Sequence, residues 1–213
     1  MSGEDRIKSK LYAVVETGAA AVERLSAALG GGNIAAVLIR PAGGTPLTAQ
    51  LVQPLVKAAQ DKGAAALLEN DAELVRVVKA DGVHLAPRET IVADYEEARS
   101  ILGNRYIIGA DPGTVRDDAM TLAELGADYV AFSIAGAGSL DERSELSAWW
   151  AEIFQVPCVA LDVTDADDAI ALQRSNADFL GLTLPGTEAP AASAERAKTI
   201  AAALVADYAQ ARA

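Results

Sequence analysis

The chain has 213 residues, 51% of them hydrophobic, and its 18 basic and 30 acidic residues give a formal net charge of −12. That length and apolar content suffice for one sizeable core, and a single domain over residues 1–213 is predicted. So acidic a chain lacks the broad basic surface that nucleic acid or an anionic membrane demands, which excludes both as partners.

Apolar strand-like runs alternate with helical patterns. In order they are Leu11–Val15, Ala35–Ile39, Ala64–Leu68, Val83–Leu85, Tyr106–Ala110, Tyr129–Ser133, Cys158–Leu161 and Phe179–Leu182. The runs are continuously apolar rather than alternating, as expected when helices cover one face and a packed interior the other. A doubly wound open sheet would give the same alternation, but eight units in this length favour closure. An α/β fold, a single (β/α)₈ TIM barrel, is predicted.

Smaller signals punctuate the units. Ala80-Asp81, Ala127-Asp128 and Ala177-Asp178 each sit between a helix end and an apolar run. They form a weak repeat at strand starts, the structural end of a barrel, and read as turn and cap residues. Thr114 before Asp117 and Thr164 before Asp167 read as helix caps with an acid in the first turn. Pro54 predicts a kink or late start in the second helix. Adjacent Trp149 and Trp150 cannot both face inward on one helix, which leaves a rim contact or a homodimer interface open. The last helix carries Ala197, Ile200, Ala201, Leu204, Val205 and Tyr208 on one stripe, predicted to dock on the first strand.

Cys158 follows Pro157 in an apolar run and reads as a buried strand thiol. The first ten residues lack a signal peptide's apolar core, and no uninterrupted apolar run reaches membrane-spanning length. A cytoplasmic protein is predicted.

In a barrel of parallel strands, chemistry gathers where the strands end. Those positions here hold Arg40, Glu69-Asn70-Asp71, His84 to Glu89, Asp111, Gly136 to Ser139, and Asp162. Asp71 and Glu89 follow adjacent strands and suit a Mg²⁺ pair, whose shell water and phosphate would complete. Asp71 equally suits a helix start, with Asn70 capping and Glu73 returning the bond. Glu89 is either a ligand or a solvated loop acid. His84 is either a proton donor or a satisfied core histidine. Arg40, before a glycine-rich loop, is the best anion anchor. Gly136-Ala137-Gly138-Ser139 is a phosphate cradle or a flexible lid.

Several segments carry a family likeness. Leu11-Tyr12-Ala13-Val14-Val15, Glu69-Asn70-Asp71, Asp81-Gly82-Val83-His84-Leu85, Ile107-Ile108-Gly109 and Glu124 to Val130 together resemble the thiamine-phosphate synthase and thiazole tautomerase superfamily of small barrels. The resemblance implies a transferase of thiamine biosynthesis that joins a pyrimidine methyl pyrophosphate to a thiazole phosphate, with Mg²⁺ and basic side chains stabilising the departing pyrophosphate. It places Asp71 and Glu89 on the metal and Arg40 on the pyrophosphate; among the other strand-end residues, Asn70 and Asp111 are substrate-binding candidates and His84 is the catalytic candidate. The chain departs from the family pattern at Leu38, Ala42, Ala72, Asp111-Pro112-Gly113, Ala135 to Leu140 and Asp162-Val163, which removes most phosphate-holding residues. Weakened or altered synthase activity on a small heterocycle or phosphate ester is therefore expected. The alternative is a non-catalytic barrel that binds such a ligand or a protein partner.

Overall fold

The eight apolar runs form eight parallel strands. They are β1 (Lys10–Glu16), β2 (Ile34–Arg40), β3 (Ala65–Glu69), β4 (Gly82–Leu85), β5 (Ile107–Ala110), β6 (Tyr129–Phe132), β7 (Cys158–Val163) and β8 (Phe179–Leu184). A computed structural model describes residues 9–211. Each strand pairs with the next, and β8 returns to β1, which closes the predicted barrel. The helices are α1 (Ala21–Gly31), α2 (Ala49–Gln60), α3 (Ala72–Val78), α4 (Ile91–Leu102), α5 (Arg116–Glu124), a single turn α6 (Ile134–Ala137), α7 (Leu140–Ile153), α8 (Ala166–Arg174) and α9 (Pro190–Gln210). No helix among the described residues is long and apolar enough to cross a membrane.

Period-two alternation divides the buried residues into two clusters. Tyr12, Val14, Leu38, Leu67, Tyr129, Ala131, Val159 and Leu161 fill the barrel. Their neighbours, such as Ala13, Val37, Leu68 and Val130, face outward into the larger cluster beneath the helices. Following the inward parity to the strand ends brings Arg40, Glu69 and Asp111 to the mouth. The walls also need two bare positions. A Cβ at Gly82 would lie 2.0 Å from the Ile107 carbonyl oxygen, and one at Gly109 would lie 1.9 Å from the Tyr129 ring.

The Ala-Asp repeat does the strand-start work its position suggested. Asp81 accepts the Ala66 N–H at 2.7 Å, Asp128 the Ile108 N–H at 2.8 Å, and Asp178 the Cys158 N–H at 2.8 Å. Each carboxylate ties its own strand to the start of the preceding one, at the end opposite the mouth.

The structure corrects several local expectations. Asp165, not Thr164, caps α8, and α5 begins after Val115 with no side-chain cap. Thr164 instead bonds to Asp168. Pro54 lies inside α2, which starts on time at Ala49 behind a Thr48 cap. Pro54 lies on the exposed face of the helix. The α9 stripe seats chiefly on α1 and α8 rather than β1, and Val205 stays exposed at 49%. Trp150 is buried, stacks on Phe154 at 4.2 Å and donates to the Val156 carbonyl. Trp149 is half-buried, with the Arg116 guanidinium 4.6 Å above its ring.

Candidate active site at the barrel mouth

Arg40 and Glu69 end adjacent strands with the same inward parity. Arg40 Nε donates to Glu69 Oε1 at 2.8 Å. Glu69 sits in register with His84 across the next ladder. His84 is fully buried; its Nδ1 shares a 2.9 Å hydrogen bond with the Tyr129 hydroxyl, and the two rings stack. Tyr129 in turn shares a 3.1 Å bond with Tyr12. A polar column thus descends from the ion pair into the barrel, and Gly109 makes room for its central ring. Burial, with the nearby Arg40 charge, pushes the His84 pKa down to about 3, so the ring is neutral. Burial also raises both tyrosine hydroxyls well above their ordinary range.

Asp111 directly follows β5 and is wholly buried. It accepts the Gly113 N–H at 2.9 Å and the Ser133 N–H at 3.1 Å. Burial raises its pKa to about 6 against the lowering effect of these bonds. The α6 turn folds over it: a Cβ on Gly136 would meet Asp111 Oδ1 at 2.9 Å and the Gly113 Cα at 2.7 Å. Of the segment expected as a phosphate cradle or lid, Gly136 packs on Asp111 and Gly113, while Gly138 and Ser139 are exposed. Ser139 closes it by forming a capping box with Glu142 at the head of α7.

Asn70 and Asp71 divide their tasks differently from the sequence expectation. Asn70 adopts a left-handed backbone, φ 54°, and its Oδ1 accepts the Ala86 N–H at 2.9 Å. Asp71, not Asn70, caps α3 by accepting the Leu74 N–H at 2.9 Å. Asp71 and Arg88 line a groove of about 230 Å³ between α3 and α4, while Arg40, Glu69 and His84 turn to the barrel axis. Glu89 is an exposed loop residue beside Arg88. Among the described residues, no group of three His, Cys, Asp or Glu is gathered to hold a metal.

The remaining arginines near the mouth are committed to the fold. Arg24 is buried and donates to the carbonyls of Ala19, Gly186 and Glu16, knotting the loops after β1 and β8. Arg143 donates to the Leu161 carbonyl. Arg196 donates to the Thr183 carbonyl and to Glu188. The partner of Arg40 and the two tyrosines beneath His84 are not legible from single loops. The signal available was parity, since Tyr12 and Tyr129 share the inward phase of Glu16 and Ala131.

Closed strand order, a polar mouth and a buried polar column define a (β/α)₈ barrel. The sequence profile of the thiamine monophosphate synthase family matches residues 11–183, and the chain belongs to that family. It is 33% identical to the thiamine-phosphate synthase of Rhodospirillum centenum over 167 residues, covering 74% of this chain and 78% of that protein. It is 32% identical to the thiamine-phosphate synthase of Hyphomonas neptunium over 169 residues, 75% of each chain. The solved thiamine phosphate pyrophosphorylase of Pyrococcus furiosus superposes with a TM-score of 0.75 at 21% identity, covering 94% of this chain and 97% of that one.

Proposed function

We propose that the protein joins a pyrimidine methyl pyrophosphate to a thiazole and releases pyrophosphate. The observation that carries this reading is the Asn70 clamp. By holding Ala86, it ties the loop with Arg88 and Glu89 to the strand end with Asp71. Those are the two acids on which the family's Mg²⁺ is expected. Their donor chemistry fits a hard cation with one or two carboxylates, the rest of its shell coming from water and pyrophosphate. Bound there, Mg²⁺ would neutralise charge on the departing pyrophosphate.

The chain's own residues supply the rest. Departure of pyrophosphate leaves a cationic pyrimidine methylene, and the acidic mouth around Glu69 and Asp111 favours that charge. Arg40 faces the leaving group while held by Glu69, so it contributes less than an unpaired arginine, and a reduced rate is expected. Asn70 holds the loop beside the substrates; Asp111, expected at the substrates, is instead wholly buried and holds the turns after β5 and β6. His84, neutral and locked by Tyr129, fixes the floor of the mouth. The family match weighs for this synthase reading over a non-catalytic barrel. Pyrophosphate release, assayed with the pyrimidine substrate, a thiazole and Mg²⁺, tests it. Release no faster than in Asp71→Ala ends the reading.

A further inference from the structure

The end of β7 is built unusually. Asp162 has φ 58°, a left-handed conformation that non-glycine residues seldom adopt. The β7–β8 ladder shifts register between Ala160 and Val163, so Asp162 sits on an irregularity that swings its side chain across the mouth. One carboxylate oxygen accepts the Ile134 N–H at 2.9 Å, and the other accepts the Thr183 hydroxyl at 3.3 Å. Barrels that hold a phosphate commonly do so with the loops after the seventh and eighth strands and the start of a short extra helix. Here a backbone donor just after β6 and a hydroxyl near the end of β8 already serve a carboxylate.

We propose that Asp162 fills the phosphate position of this barrel with its own carboxylate, so that the mouth takes its thiazole as the uncharged alcohol rather than the phosphate ester. This rests on the synthase reading and specifies its substrate. The surroundings agree. Asp162 lines a cavity of about 530 Å³ with Arg40, Ile134, Thr183, Pro185 and Arg196. Both lining arginines are engaged, Arg40 by Glu69 and Arg196 by Glu188, each at 2.8 Å. Arg143 attracts Asp162 from behind, but it donates to the Leu161 and Ser139 carbonyls. An entering phosphate would meet the like charge of the Asp162 carboxylate, whereas a hydroxyl can donate to it. Exposed Ile134, with Pro185, offers apolar contact for an alkyl arm.

The step balances without a further reactant. The methylene–oxygen bond breaks, and its electron pair leaves on pyrophosphate. The thiazole nitrogen lone pair forms the new carbon–nitrogen bond, giving a thiazolium whose hydroxyl is untouched.

The test compares hydroxyethylthiazole with its phosphate ester in pyrophosphate release by the full-length protein. The wild type is expected to favour the alcohol by at least about tenfold in kcat/KM, as like-charge exclusion allows. Asp162→Asn keeps the shape and removes the charge, and should move that ratio at least about tenfold toward the ester. Asp162→Gly suits the left-handed backbone and should do the same, with circular dichroism confirming its fold. Preference of the wild type for the ester, or an unchanged ratio in both variants, overturns the proposal. Release with the ester alone overturns it while the synthase reading stands. If neither compound supports release, the synthase reading falls, and calorimetry decides for Asp162: ester binding as tight as alcohol binding overturns it too.

Discussion

Arg40 and Glu69 meet at 2.8 Å across the ends of β2 and β3, with side chains 26% and 11% exposed. A pair this covered lies between a screened surface bridge and a buried one. Removing Arg40 strands the less exposed partner. Arg40→Ala should lose about 1–3 kcal/mol in urea denaturation. A double-mutant cycle with Glu69→Gln should return a coupling of about 1 kcal/mol. A coupling near zero would show that the pair carries no energy.

His84 and Asp111 should pull stability in opposite directions with pH. The His84 pKa falls from 6.5 to about 3 on folding, so the unfolded chain takes up a proton that the folded one refuses. Its contribution is present above pH 6.5 and is lost as pH falls toward 3. The Asp111 pKa rises from 3.8 to about 6, so its contribution is present below 3.8 and is lost as pH rises through 6. Relative to the wild type, His84→Gln should therefore gain stability as pH drops from 6 toward 4. Asp111→Asn should instead lose stability over that window, at up to about 1.4 kcal/mol per pH unit. Parallel slopes in the two variants would contradict the assignment.

Asp71 carries a structural role and a proposed metal role, and one substitution separates them. Asp71→Ser keeps a capping oxygen for Leu74. Its stability should match the wild type, while Asp71→Ala should lose about 1 kcal/mol. In the synthase assay both should be slow. Full activity in Asp71→Ser would remove this carboxylate from the metal.

The strand-start carboxylates lie at the opposite end of the barrel. Asp81→Ala and Asp178→Ala each strip an acceptor from a backbone N–H, at a cost of about 1–3 kcal/mol. For a chain of this size that lowers Tm by roughly 2–4 °C per kcal/mol. KM should not move. A changed KM with unchanged Tm would place these residues at the site instead.

Gly109 is a spacer for the buried column. A methyl group there would overlap the Tyr129 ring, and Gly109→Ala should cost at least about 1–3 kcal/mol. Tyr129→Phe in the same background should not restore it, because the ring and not the hydroxyl collides. Recovery in the double variant would point to a shifted ring.

The sequence by itself determined the barrel. Eight apolar runs at regular spacing admit few other ways to bury so much surface, and Asp-Gly-Val-His-Leu with Asn70-Asp71 marked the family. Even the Ala-Asp repeat showed its structural role, since an acid between a helix end and a strand start has a fixed set of nearby N–H groups. Tertiary structure alone decided which side chains share the mouth. Arg40 and Glu69 stand 29 positions apart, and His84 and Tyr129 stand 45 apart. Such partners are selected by strand order, parity and register, which closure sets for the whole ring at once. The turn over Asp111 and the twist at Asp162 were out of reach for the same reason. Each depends on where a neighbouring loop donates its N–H, and a local sequence window does not contain that neighbour.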